Sequence, residues 1–336
     1  MPIATRPVVS TARERRVLVG AASARDRWLR RYPIALGLGG LGGAWRTAIG
    51  FGAPTWPAVI LTAMCFGVWL AITVMYVRHG GANPFAFVAD LRHPDQGFAM
   101  GYIPVIPLLI VAQLRPHAVG VRLLDLVLVS GWALATAAMV AHWLTNPRDR
   151  HAIHPGIALP VVAGPFISCI SLQASGWHTI AQGLFTLGLF FWLTFGTVIV
   201  NRLMTEEGLS DARFPTLAAL MVPPATASIA WFGLNENRIT MVGTGLAAIL
   251  AMMTLVQGFL VPQYLRRPFV LSAWTFCFPV AASANTVGRW VIAAPSRPGH
   301  VLAWAVLAAA TAILGLLATL TVRMAWSTGR GQTAPR

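Results

Sequence analysis

Leu271–Ala284 reads LSAWTFCFPVAASA. The stretch is apolar, carries the aromatics Trp274, Phe276 and Phe278, and has Pro279 in its interior. A helix drawn through it must bend or break, because proline has no N–H to give and its ring clashes with the carbonyl four residues back. Inside a bilayer such a break is tolerated only where protein or a water-lined cavity satisfies the freed carbonyl. Two readings follow. Either this is a broken helix carrying bulky aromatics beside a conduction path, or it is a kinked, packed helix whose phenylalanines are core.

The composition around this stretch selects a membrane setting. Of 336 residues, 56% are hydrophobic and 10% charged, whereas soluble domains carry about 25% charged residues. Apolar runs of about 20 residues, enough to cross a bilayer, recur along the chain. The first 32 residues are polar and basic without an apolar core, so no cleavable signal peptide is expected. All 25 basic residues are arginine, and the net charge is +15. That charge reads as a topology signal and not as nucleic-acid binding. Cys65, Cys169 and Cys277 are scattered through apolar segments without a CxxC pair or Cys/His cluster. Neither a metal site, a disulfide framework nor a cofactor is expected.

Ten apolar segments are expected, near 33–52, 56–78, 98–114, 121–144, 156–176, 178–202, 214–234, 239–260, 269–292 and 299–325. They make one transmembrane domain at 33–325. A basic arm at 1–32, ending in a short interfacial helix around Asp26–Arg31, precedes it, and a tail at 326–336 follows. With the N-terminus inside, nineteen arginines fall on the inner side and four on the outer. The positive-inside rule then puts both termini in the cytoplasm, as an even span count requires. The chain is expected in the inner (plasma) membrane. Very short outer links at 53–55, 177 and 235–238 make neighbours antiparallel, giving five helical hairpins.

Proline follows the same alternation. The third segment holds Pro104 and Pro107, the fifth Pro160 and Pro165, the seventh Pro215, Pro223 and Pro224, and the ninth Pro279. The first has no interior proline but reads GLGGLGG over residues 37–43. The fourth, sixth, eighth and tenth have none, and the second has only Pro57 in its first turn. The first helix of each hairpin is thus breakable and the second smooth. Breakable helices must avoid lipid. The expected fold is all-α: an inner ring of five kinked odd-numbered helices around a pore, inside an outer ring of five even-numbered ones.

With these motifs in place, the chain resembles the tellurite-resistance/C4-dicarboxylate transporter family. That family includes bacterial TehA-type proteins, fungal malate permeases and plant guard-cell slow anion channels. The resemblance rests on GLGGLGGAWR (37–46), PTLAALMVPPATASIAW (215–231) and AWTFCFP (273–279), and covers residues 30–325. It implies a homotrimer with one pore per protomer and an aromatic plug on the ninth helix. Phe278 matches that plug, and Phe276 is the second choice.

The polar groups inside the ring are few. No carboxylate pair, nucleophile–base pair or metal spacing appears in a breakable helix, so no catalytic residue is named and no enzyme is expected. Arg46 is an intramembrane arginine and a functional candidate by default. Facing the pore it would concentrate anions. Alternatively it snorkels outward or pairs with Asp125 on the fourth helix. Arg289 is a similar candidate nearer the interface. Ser168, Ser171 and Ser228 are candidate pore-lining hydroxyls, or bond along their own helices. Asp125 is the only carboxylate inside a span, and His142 and His178 lie on even-numbered helices. A proton-coupled symporter usually needs an intramembrane carboxylate or histidine relay. The favoured function is passage of small inorganic or organic anions across the lipid bilayer by a gated channel or uniporter. The alternatives are a coupled C4-dicarboxylate (malate) or tellurite-linked transporter, and a receptor-like protein with an occluded pore.

Overall fold

The computed structural model describes residues 24–114, 118–146 and 149–331, and no strand occurs among them. Most of the expected arm (1–23), Arg115, Arg148 and residues 332–336 of the tail lie outside the described residues.

The first apolar segment forms α1 (Tyr32–Ala48), one α-helix straight through GLGGLGG. The break expected of an odd-numbered segment is absent here, for a physical reason. Glycine keeps its N–H and can stay in the helical ladder, at a cost of about 1 kcal/mol each against alanine. What the glycines give instead is close approach. A Cβ at Gly37 would overlap Cys277 Cβ, and one at Gly40 would lie 2.8 Å from Phe278 Cδ2.

The other odd segments do change form along their length. Residues Gly97–Gly101 are 3₁₀ before α4 (Tyr102–Leu114) begins. Pro155–Ala158 is 3₁₀ and Leu159–Ala163 a π turn before α6 (Gly164–Ala174). Phe214–Met221 is 3₁₀ before α8 (Val222–Leu234), and Leu271–Phe276 before α10 (Cys277–Ala293). Most of the prolines are not mid-helix kinks. Pro104, Pro165, Pro223, Pro224 and Pro279 occupy the first turn of an α-helix, where an N–H has no helical partner to lose. Pro160 lies in the π turn, and Pro107 is interior to α4. The breaks are therefore 3₁₀-to-α transitions with proline marking the α start.

The remaining long helices are α2 (Trp56–Tyr76), α5 (Val119–Thr145), α7 (His178–Thr205), α9 (Met241–Leu265) and α11 (Arg297–Gly331). Helix α9 runs past the expected end at 260 and contains Pro262, so not every even segment is free of proline. The ring falls in the final turn, where it affects only the helix end.

Seven helical stretches among the described residues are long and apolar enough to cross a membrane. Stretches 97–114 and 214–234 are 61% and 67% buried, whereas the other five are between 17% and 28% buried. The poorly buried ones expose large apolar side chains such as Leu193 and Phe259. Such a surface is stable against lipid and not against water, which makes this a multi-pass membrane protein. In the well-buried set, α1 packs on α4 and α10, α4 on α6, α6 on α8, and α8 on α10. Each also packs along the long helix that follows it in the chain.

At the end where the chain enters, residues 24–29 form the short helix expected near Asp26–Arg31. Arg25 grips Asp90 of α3 (Pro84–Leu91), with Nε donating to Oδ2 at 2.7 Å and Nη2 to Oδ1 at 3.2 Å. Tyr76 donates its hydroxyl to the same carboxylate at 3.0 Å.

Candidate functional site

Helices α1, α4, α6, α8 and α10 surround a cavity of about 390 Å³. Arg46, Arg289, Gln113, Gln173, Asn285 and Phe278 all contribute to its wall, and no aspartate or glutamate does. The structure thus brings both candidate arginines to one cavity of positive charge.

Its polar groups are held in fixed poses. Arg289 Nε donates to Asn285 Oδ1 at 3.2 Å and Nη1 to Asn237 Oδ1 at 2.9 Å. Thr47 Oγ1 donates to the same Asn285 oxygen at 2.8 Å, which couples α1 to α10 beside Arg46. Gln113 Nε2 donates to Gly39 O at 3.0 Å, and its Oε1 accepts from Thr62 Oγ1 at 2.6 Å. Gln173 Nε2 donates to Ala230 O at 3.1 Å, tying α6 to α8. Gly233 leaves the space that the Gln173 amide fills, and Gly43 faces the amide of Asn285.

Phe278, the second residue of α10, is 4% exposed and lines the same cavity. Its ring rests in the hollow left by Gly40. Phe276 goes elsewhere. Its ring meets Tyr264 of α9 edge-on at 4.6 Å between centroids, and it lines neither this cavity nor the next.

A second cavity of about 320 Å³ is lined by the earlier parts of the same segments, including Phe98, Tyr102, His154, Arg213 and Thr275. The two cavities share no wall residue. Thr275 borders one and Phe278 the other, so the start of α10 lies between them. In the second cavity Arg213 Nη2 pairs with Asp95 at 3.0 Å, and both line the wall together with Arg30, whose partner Asp26, at 2.8 Å, does not.

The three candidate serines do not line either cavity. Ser171 and Ser175 donate to the two carboxylate oxygens of Asp125, at 2.7 and 2.6 Å, and Asp125 is fully buried. Ser228 donates to Pro224 O in its own helix at 2.7 Å. Ser168 is fully buried. Sequence reasoning missed Gln113, Gln173 and Asn285. The signal was present, because an amide in an apolar segment that must face inward is as unusual as an arginine there.

A family model described as "SLAC1: Voltage-dependent anion channel" matches residues 30–322. The "Tellurite resistance protein TehA homolog" of Haemophilus influenzae is 24% identical over 262 residues, 76% of this chain and 78% of that protein. The "Guard cell S-type anion channel SLAC1" of Arabidopsis thaliana is 24% identical over 197 residues, 55% of this chain and 34% of that one. The "S-type anion channel SLAH2" of the same plant is 23% identical, covering 92% of this chain and 63% of its own length. The match to the guard cell channel thus spans about a third of that protein.

Proposed function

The chain belongs to the SLAC1-type voltage-dependent anion channel family, and from that premise we propose that it passes small anions along the axis enclosed by α1, α4, α6, α8 and α10. Each of these helices with its successor forms a hairpin, giving ten spans in five hairpins and an inner and an outer ring. The protein acts in the cell's inner membrane as a homotrimer with one path per protomer, both termini cytoplasmic. The family's named members are channels and resistance proteins, not enzymes.

Phe278 is the gate in this reading, and the single supporting observation is its position. Its ring borders a cavity that holds two arginines and no carboxylate, packs against a glycine, and follows by three residues Thr275, which lines the other cavity. A bulky ring in a narrow apolar passage excludes ions by size and by dewetting. Arg46 and Arg289 raise the anion concentration outside it. Phe276 is not needed for this role, since its partner is Tyr264.

The test is anion flux in proteoliposomes, wild type against Phe278→Ala, with chloride, nitrate and malate and with or without a pH gradient. Strong, gradient-independent conduction by the alanine variant is the expected result. Malate movement by wild type only down a proton gradient, abolished in Phe278→Ala, would establish a coupled dicarboxylate carrier instead. Tellurite-linked transport would appear as tellurite-dependent flux in the same vesicles.

A further inference from the structure

We propose that Asn285 is an anion-selecting residue of the cavity that holds Arg46 and Arg289: its amide oxygen fixes Arg289, and its NH2 group donates to the passing anion. This deepens the channel reading above and rests on it. Phe278, Ala282, Asn285 and Arg289 all line that cavity. Their spacing of four, three and four residues puts them in one stripe along α10. Asn285 stands two turns, about 10 Å, beyond Phe278 in that stripe and one turn before Arg289. It is 9% exposed.

Which way the amide faces is decided by its partners. Arg289 Nε can only donate, and it meets Asn285 Oδ1 at 3.2 Å. Thr47 Oγ1 donates to the same oxygen at 2.8 Å. Both lone pairs of that oxygen are thus used, and the NH2 group is turned to the other side. There Nδ2 faces Gly43, where an added Cβ would lie 3.4 Å from it. Nδ2 donates to no group among the described residues and is not closed off from the cavity. The glutamines in the same wall differ. Gln113 Nε2 donates to Gly39 O at 3.0 Å and Leu109 O at 3.2 Å, and Gln173 Nε2 donates to Ala230 O at 3.1 Å. Thr226 Oγ1 is likewise committed to Val222 O at 2.7 Å. Asn237, in the exposed link after α8, holds Arg289 Nη1 with its own oxygen. The two arginines attract every small monovalent anion alike by charge. An N–H held in one pose adds direction, and direction separates spherical chloride from planar nitrate.

The experiment compares wild type, Asn285→Leu, Asn285→Asp and Asp125→Ala as full-length purified protein in detergent. Melting temperature is followed as chloride or nitrate replaces a bulky sulfonate at constant ionic strength. The wild type rises with either anion. Asn285→Leu keeps the charge of both arginines, yet needs roughly tenfold more anion for the same rise, the factor carried by one hydrogen bond to a charged group. Its chloride and nitrate midpoints shift by different factors. Asn285→Asp keeps the oxygen that Thr47 and Arg289 require, so it folds, but it sets a second oxygen where the NH2 group was and loses the rise. Asp125→Ala, a destabilised control that lines neither cavity, melts lower and keeps both wild-type midpoints. No rise in wild type, wild-type midpoints in Asn285→Leu, or a shift by one common factor for both anions would overturn the assignment. So would a wild-type rise in Asn285→Asp, which decides alone if Asn285→Leu does not fold. Combining Asn285→Leu with Phe278→Ala in proteoliposomes separates the two claims. If Phe278→Ala is silent while the Asn285-dependent shift persists, the gate fails and the site stands. If it conducts and adding Asn285→Leu changes neither rate nor chloride-to-nitrate ratio, the site fails and the gate stands.

Discussion

Gly40 and Phe278 form a pair in which the atoms one residue lacks are the space the other occupies. Adding a methyl at 40 places it 2.8 Å from a ring carbon. A ring on a side chain can turn away, so Gly40→Ala is expected to fold, displace Phe278 and raise basal anion flux over wild type, measured in the same vesicles. Gly37→Ala has a different outcome. Its new methyl meets the Cβ of Cys277, which is fixed to its backbone and cannot turn away. Overpacking of that kind costs about 1–3 kcal/mol, and the expected readout is a lower melting temperature and poor yield. Phe278 was legible in the sequence because an aromatic beside a proline in an apolar stretch is conspicuous. Its glycine seat was legible only as a run of glycines, since the register that sets Gly40 against Phe278 belongs to two segments more than 200 residues apart. The sequence left two roles open for the serines for a related reason. Whether a hydroxyl faces the axis, its own helix or a neighbour's carboxylate depends on helix rotation, which composition does not encode.

At the scale of elements, proline acts as a start signal. Pro279 has no N–H for the carbonyl of Thr275, so the 3₁₀ turn Leu271–Phe276 cannot fuse smoothly with α10. The alternation of proline-bearing and smooth segments was readable from the chain because it follows from what lipid forbids. The form of the break was not, because 3₁₀ and kinked α-helix share the same residue preferences. The contact between α5 and α6 gives a sharper case. Asp125 on α5 is buried and accepts from Ser171 of α6 and from Ser175 at that helix's C-terminal cap. Asp125→Ala leaves both serines without their acceptor, and a loss of about 2–3 kcal/mol is expected. It should appear as a lowered melting temperature with flux per folded molecule unchanged. A change in proton dependence of flux instead would make Asp125 a transport residue.

For the whole molecule, the poorly buried long helices treat the bilayer as solvent. Leu193 on α7 is 72% exposed, and Leu193→Arg is expected to cost about 2.5–3.5 kcal/mol of insertion free energy, read as reduced membrane-integrated protein. The entering chain is fastened by Arg25 on Asp90. The pKa of Arg25 is raised above the ordinary arginine value, first by its hydrogen bond to Asp90, while burial opposes the rise. A raised pKa contributes stability that is complete below the unfolded value and is lost only as pH climbs through the folded one. Protease resistance near residues 24–31 should therefore stay level from neutral to mildly alkaline pH. It should fall in Asp90→Asn at every pH.

In the proposed path, with the Phe278 ring between the two cavities, the geometry also decides where voltage acts. Water filling each would carry the potential of its own side nearly to Phe278. The membrane field is then concentrated over the thickness of a side chain, and is not spread along the helices. Moving one charge through the full potential is worth about 2.3 kcal/mol per 100 mV. An anion would experience almost all of that in a few ångströms at Phe278, while Arg46 and Arg289, already at the outer potential, would feel little of it.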